Sequence, residues 1–312
     1  MQRLRVAFLG PAASFSHQAA LECFGRSAEL TPCPTFADIF SAVQQNDADY
    51  AAIPFENSTN GSVVQTLDLL ADRDRVYSDI EICGEYYLTV HHCLLARKGT
   101  APSASGSYDF INKLYTHPQA WGQCEKFLSE HFKGVEKQDV SSTSKAAEIA
   151  ARDETGQSAA IASSFAAEYH GADILEANIE DKDDNTTRFL IVRNIRSEQT
   201  ASSYPPSLAN AGSAEKNEQS PAKRKTLVSF TVNHSSPGAL ADALLVFKTH
   251  GQNLTSINTR PSRSKPWHYV FFVECSETTS SPNDETVGQL LEDLGKVTES
   301  CRNLGTWDEQ IS

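Results

Sequence analysis

The chain predicts a two-lobed α/β domain followed by a small α+β domain of ferredoxin-like βαββαβ order. Three observations carry this prediction. Over residues 1–196, short apolar runs that read as buried strands alternate with segments of helical spacing. Residues 197–224 are rich in Ser, Ala, Asn, Glu and Pro, with almost no large apolar side chains, and read as a flexible linker. Regular patterning restarts at Lys225 and continues through 225–312. A length of 312 residues suits two or three domains.

In the first unit, residues 4–9 read as a buried strand closed by Gly10-Pro11. Residues 16–24 form a helix with Ser14 or Ser16 as N-cap. Helical spacing returns over 36–46, residues 50–53 are a buried strand ending at Pro54, and 63–70 are helical again. Residues 86–96 read as one long apolar strand, and 113–115 as a short one leading into a helix at 119–131. A helix at 143–153, a strand at 158–161 and a helix at 163–169 precede the strand 189–192. Two lobes with the chain crossing between them fit this order and place the site in the cleft. In the second unit, strands at 226–232, 254–259, 268–275 and 301–307 accompany helices at 238–250 and 284–300.

Composition narrows the function. The 39% hydrophobic and 21% charged content is that of a soluble globular protein. No apolar run approaches the roughly 20 residues that span a bilayer. Residues 1–6 run straight into a strand without a signal-peptide core, which predicts a cytoplasmic protein. The seven cysteines include no CxxC pair and mostly sit in apolar surroundings, so they read as reduced core thiols. In His91-His92-Cys93, adjacent strand residues point to opposite faces and cannot converge on one ion. No metal and no cofactor are expected. The net charge of −13 argues against nucleic acid and membrane partners, and requires any anion site to be locally basic.

One motif stands out. Asn185-Thr186-Thr187-Arg188-Phe189 sets a hydroxyl, a fixed cation and an aromatic ring at the start of the strand 189–192. That is where open α/β sheets bind ligands, and a guanidinium beside a hydroxyl suits a small anion with an oxygen to be bonded or expelled. Glu56-Asn57-Ser58 follows a strand, so its polar groups are expected to face the same cleft. Ser14, at a helix start, is placed either to cap the helix or to help hold a carboxylate; Ser142-Thr143 offers the same arrangement in the second lobe.

These stretches together resemble the prephenate dehydratase family. The resemblance rests on Gly10 to Ala20 and on Pro54-Phe55-Glu56-Asn57-Ser58 with Gly61-Ser62-Val63 and Thr66 to Leu70. It rests also on Thr116-His117-Pro118-Gln119-Ala120 with Gln123-Cys124, and on Asn185 to Phe189. The last unit is similar to an ACT regulatory domain through Ser236-Pro237-Gly238-Ala239-Leu240, Gly251 to Thr255 and Arg260-Pro261-Ser262. Two departures stand out: Ala13-Ser14 replaces a usual Gly-Thr, and Asn258-Thr259 replaces Glu-Ser, which puts the strength of effector control in doubt. The long linker and the replaced residues resemble fungal members. No chorismate mutase helix precedes Leu4, so the monofunctional form is expected.

The resemblance implies a two-lobed catalytic fold like that of periplasmic binding proteins. It implies a hydro-lyase that turns prephenate into phenylpyruvate, with L-phenylalanine as inhibitor at the ACT domain. Thr187 is then expected to hydrogen-bond the departing ring hydroxyl, and Arg188 to pair with the pyruvyl carboxylate, since a clamp on the ring carboxylate would slow its loss. Ser14, Asn57, Ser58 and Thr143 are expected to contact substrate. Glu56 is expected either to donate a proton or to cap the next helix, and Phe189 to wall the ring pocket. His17 and His117 lie near helix starts, and the reaction needs no base. Pro237, Gly238, Ala239, Leu240, Asn253 and Leu254 are expected to hold phenylalanine, and a homodimer or homotetramer is expected. An arogenate dehydratase, or a non-catalytic phenylalanine sensor, would share most of these motifs.

Overall fold

The computed structural model describes residues 3–100, 107–197, 200, 223–277 and 284–310. Most of the expected linker, 198–199 and 201–222, lies outside these residues. The first lobe is built on β1 (Arg5–Leu9), which pairs in parallel with β2 (Glu29–Cys33) and β3 (Tyr50–Asn57). The run Val6-Ala7-Phe8 is fully buried because α1 (Phe15–Phe24) packs on one face and α2 (Phe36–Gln44) on the other. Next along the sheet are β11 (Thr186–Asn194) and β5 (Ile80–Thr89), both antiparallel joins. The short β4 (Gly61–Ser62) folds back on β3 and leads into α3 (Val64–Ala71).

The second lobe is a five-stranded sheet of β6 (Cys93–Ala96), β7 (Lys113–Thr116), β8 (Glu136–Asp139), β9 (Ser158–Ala162) and β10 (Asp173–Glu176). On one face α4 (Pro118–Trp121) and α5 (Glu125–His131) bury Ala120, Leu128 and Phe132. On the other, the alanine-rich faces of α6 (Thr143–Arg152) and α7 (Ser164–His170) pack closely on β6 and β9. The expected helix 119–131 is thus two helices, broken at Gly122, which caps α4.

The expected strand 86–96 is also two strands, and the break matters. β5 ends where its ladder with β11 ends, at Thr89 opposite Thr186, while Cys93 onward pairs within the other sheet. Residues 90–92 therefore cross between lobes, and residues 177–185 cross back. The two crossings are zipped together: Val90 N–H donates to the Asn185 carbonyl (2.7 Å) and Ile179 N–H to the His92 carbonyl (2.9 Å). The Glu180 carboxylate accepts from the His91 ring (2.7 Å) and the His92 N–H (2.8 Å). Burial would raise the Glu180 pKa, but these two donors hold it below the usual range. Two lobes joined by two adjacent crossings make a periplasmic-binding-protein-like architecture.

The last unit has the expected βαββαβ order: β12 (Arg224–Thr231), α8 (Ala239–Thr249), β13 (Gln252–Pro261), β14 (Tyr269–Glu277), α9 (Asp284–Val297) and β15 (Ser300–Asp308). Its strand order β13-β14-β12-β15 is ferredoxin-like. One face is covered by the two helices through Phe247, Leu290 and Leu294. The other presents Leu227, Phe272, Leu304 and Trp307 to the first lobe, in one core with Ile53, Ile82 and Leu190. β15 also joins β5 in parallel at Gly305 and Ile82, making one continuous sheet. Polar contacts add to this seam, among them Arg260 bidentate to Asp68 (2.9 Å each), Arg73 to the Pro261 carbonyl, and Ser62 to Asn258 (2.7 Å).

Six of the seven cysteines are buried, Cys301 is half-buried, and all are free thiols. Among the described residues, no helix is long and apolar enough to cross a membrane.

Candidate active site

Thr187 sits at the cleft end of β11, directly opposite Asn57 at the end of β3. Asn57 Nδ2 donates to Thr187 Oγ1 (3.0 Å) and to Asn185 Oδ1 (2.9 Å). Its Oδ1 accepts from the N–H groups of Thr59 (3.0 Å) and Asn60 (2.9 Å). The two backbone donors fix which end of the amide is oxygen, so the NH2 must face Thr187. Thr187 Oγ1 is therefore an acceptor in this contact, and its own proton goes to none of the described residues. A hydroxyl held by a donor from behind is aimed outward, ready to give its hydrogen to a ligand oxygen. Ser58 closes the same strand end: its Oγ accepts from Thr186 N–H (2.9 Å) and its N–H donates to the Thr186 carbonyl (2.8 Å). Asn185, buried just ahead of β11, belongs to the motif but carries no role readable from the sequence; here it accepts from Asn57.

Arg188 requires a correction. Its alternation with Thr187 sends it to the opposite face of the sheet, where it is 6% exposed. The guanidinium lies 2.6 Å from Glu85 and 2.5 Å from Glu274, and rests against the rings of Phe55, Tyr87 and Trp307. Burial would lower its pKa, but Glu274 and Glu85 more than offset this and raise it. This cation is spent on protein carboxylates and does not face the cleft. Glu56 pairs across the ladder with Arg188, so it too lies on the face away from Thr187. Phe189 shares Thr187's face but is 1% exposed, covered by Ala19 and Phe15 of α1 together with Leu88. It is core that supports the site and not an open wall.

The locally basic region comes instead from backbone. Ser14 Oγ caps α1 by accepting from His17 N–H (3.2 Å), and Ser142 Oγ caps α6 by accepting from Lys145 N–H (3.0 Å). Ser144, in the first turn of α6, donates to the Ala12 carbonyl in the loop before α1 (2.6 Å), and accepts from His170 Nε2 (3.0 Å). Two helix N-termini, one per lobe, are thereby brought side by side, with first-turn N–H groups that the caps do not use. Thr143 is half-buried at the α6 end of this pair. Ala13 adopts φ +62, a left-handed conformation that strains a residue with a Cβ, and its N–H donates to His17 Nδ1 (2.9 Å). Burial lowers the pKa of His17, which stays neutral with its lone pair engaged and is no free base. His117 caps α4 through its ring.

At the hinge, His92 is 1% exposed, its Nε2 2.6 Å from Gln123 Oε1 and its ring edge-on to Phe15. Burial lowers its pKa, which keeps it neutral. In the C-terminal unit, Gly238 opens α8 in the left-handed region at φ +85 with no side-chain cap, after an exposed Pro237. Ala239 and Leu240 form the half-buried first turn. Asn253 and Leu254 are exposed, near the start of β13.

The fold is that of a two-lobed α/β protein, with the Asn57–Thr187 pair at a strand end of one lobe and two helix N-termini where the lobes meet. Residues 6–197 match the model of the prephenate dehydratase family. The chain is 38% identical to a bifunctional chorismate mutase/prephenate dehydratase of Aquifex aeolicus, over 99% of this chain and 75% of that one. It is 35% identical to a probable prephenate dehydratase of Saccharomyces cerevisiae, over 97% and 96%. Among solved structures, prephenate dehydratase of Arthrobacter aurescens in complex with L-Phe superposes with a TM-score of 0.77 at 27% identity, over 98% and 90%. A quorum-quenching acylase superposes with 0.76 at 27%, over 98% of each. The chain belongs to the prephenate dehydratase family, whose members are hydro-lyases.

Proposed function

We propose that the chain converts prephenate to phenylpyruvate, with Thr187 as hydrogen-bond donor to the departing ring hydroxyl, under feedback by phenylalanine. The observation that carries this is the Asn57 bond to Thr187, which turns the threonine proton outward. In the reaction the ring C–CO2 bond breaks and its electron pair enters the ring. The ring C–O bond breaks in turn, and the oxygen leaves as hydroxide and takes a proton to become water. Aromatisation drives both cleavages, so the protein has to place the ring and ease the hydroxyl's departure. A threonine is far too weak an acid to supply the proton outright; its bond stabilises charge as it grows on the oxygen. With Arg188 engaged elsewhere, the persisting pyruvyl carboxylate is assigned to the paired N-termini of α1 and α6, near Ser14 and Thr143. No fixed cation is assigned to the ring carboxylate, an arrangement that favours its loss.

Thr187→Ala is expected to lower kcat about a hundredfold or more, the scale of one preorganised donor. Thr187→Ser should keep most of the activity, since it keeps the hydroxyl. Equal losses in both would mean that packing, and not the hydroxyl, is at stake. Running the native enzyme on prephenate and on arogenate separates this reading from its nearest alternative; preference for arogenate would overturn it.

On this reading the chain divides into a catalytic domain (1–196), a linker (197–224) and an ACT domain (225–312). Phenylalanine is assigned to the uncapped start of α8 at Pro237, Gly238, Ala239 and Leu240, with Asn253 and Leu254 beside it. β13 ends the sheet and exposes Leu254 and Ile257 (40% and 52%), a surface suited to pairing with a second copy in a homodimer or homotetramer. Phenylalanine should inhibit prephenate turnover, and a full-length chain indifferent to it would sink the regulatory half alone.

A further inference from the structure

We propose that Glu274, in the C-terminal unit, is a positioning residue for the reaction: it holds Arg188, and through Arg188 the strand segment that presents Thr187. The inference rests on the reading of Thr187 as donor. Arg188 and Glu274 are both buried, 6% and 2% exposed, in different units of the molecule. Arg188 Nη2 is bonded to Glu274 and Glu85, while its Nε has no partner among the described residues. Glu85 is not Arg188's alone, because Lys225 Nζ lies 3.2 Å from it, with Glu309 at the rim 3.3 Å from the same ammonium. Lys225 holds Glu85 Oε1 and Arg188 its Oε2, so without the charge of Glu274 the buried Arg188 would keep only that half-shared carboxylate and would be drawn off its present position.

That displacement would reach Thr187, the adjacent residue, because here β11 is held by an unbroken ladder on its β5 side only. Its register against β3 slips between Arg188 and Phe189, leaving Phe55 unopposed. A bulge disrupts the ladder locally and sharpens the twist, which gives the tethered side chain beside it leverage on the segment that presents Thr187. Glu274 is in turn held from its far side: its Oε1 accepts from Thr255 Oγ1 (2.9 Å), and Thr255 lies at the register slip in β13 between Leu254 and Ser256. The catalytic strand and the outer strand of the C-terminal unit thus share one buried carboxylate.

The test uses the full chain with prephenate and no phenylalanine, so it does not depend on the effector reading. Glu274→Gln is expected to lower kcat about tenfold with KM changed less than about twofold, because the residue touches no substrate. In a Thr187→Ala background the same substitution should cause no further loss, a non-additivity that a merely structural role would not produce. Native kcat in Glu274→Gln, or losses that multiply in the double variant, would overturn the proposal. Should Glu274→Gln fail to fold, Thr255→Val keeps the ion pair and is expected to lower kcat about two- to threefold at unchanged KM, again only when Thr187 is present; no effect would overturn it. A silent Thr187→Ala would bring down the parent reading as well, whereas a crippled Thr187→Ala beside a silent Glu274→Gln would remove this inference alone.

Discussion

Asn57 decides the direction in which Thr187 can act, and this makes a sharp substitution possible. Asn57→Asp keeps the shape and the bonds from Thr59 and Asn60, but replaces the NH2 with an acceptor. Thr187 must then turn its proton back toward residue 57 and away from the substrate. We expect kcat to fall roughly a hundredfold, the scale of losing one preorganised donor, and thermal stability to fall as well, because the buried Asn185 Oδ1 loses its donor. Native turnover in Asn57→Asp would contradict the orientation argued for Thr187. The residue scale is also where the sequence was least sufficient. Thr187 and Arg188 are neighbours, so one of them had to face away from the cleft. The motif cannot tell which, because the partners that bury Arg188, Glu85 and Glu274, lie 103 and 86 positions away in sequence.

Elements were legible where period and length agreed, and less so where one apolar run serves two sheets. Residues 86–96 are mostly apolar on both sides of the crossing at 90–92, and Thr89, His91 and His92 are too few polar residues to mark the change of lobe by period. Strand β8 reads Glu-Lys-Gln-Asp and is exposed throughout, with no apolar face to announce it. The ferredoxin-like order of the last unit was readable, because its helices carry one apolar face and its strands a buried one. Its junction with the first lobe was not. Gly305 has φ +147, and a Cβ there would lie 2.0 Å from the Ile82 carbonyl oxygen, a backbone atom that cannot swing aside. Gly305→Ala should therefore lower stability by about 2–4 kcal/mol through strain and clash, enough to open the β15–β5 seam. Gly295, exposed on α9 with open space around it, gives the matched control. Gly295→Ala should raise stability by about 0.5–1 kcal/mol through helix propensity. Thermal melts of the two variants should shift in opposite directions, and a Gly305→Ala melt like that of the native chain would mean the seam is not a close backbone contact.

At the scale of the molecule, the two lobes are held in register by histidines that must stay neutral. Burial lowers the pKa of His17, which accepts the Ala13 N–H, and of His92 in the hinge. It also lowers that of His170, which supports Ser144, and of His117 at the start of α4. Three of these four lie where the lobes meet, so protonation acts on lobe placement before it acts on either core. The sign follows from linkage. Each histidine binds its proton more readily in the unfolded chain, so unfolding takes up protons below the unfolded value near pH 6.5, and stability falls as pH falls through that value. For His92, 1% exposed, full uptake of one proton corresponds to a slope of about 1.4 kcal/mol per pH unit, and the more exposed three add less. The carboxylates behave oppositely in position. Glu85 is held low by Arg188 and Lys225 against its burial. Asp153, against its burial, is held at about 2 by the hydroxyls and N–H groups of Ser158 and Thr155. Their contribution is intact above the usual carboxylate range and is lost only below about pH 4. Calorimetric melts should therefore begin to fall as pH drops through about 6.5, the first step, and fall further below about pH 4, the second. The first step should shrink in His92→Gln, which stays neutral at every pH and keeps a polar group beside Gln123. A melting temperature flat from pH 7 to 5.5 in the native chain would mean that these histidines are not held neutral, and that the lobes are fastened by something other than the contacts at Ala13, Ser144 and the hinge.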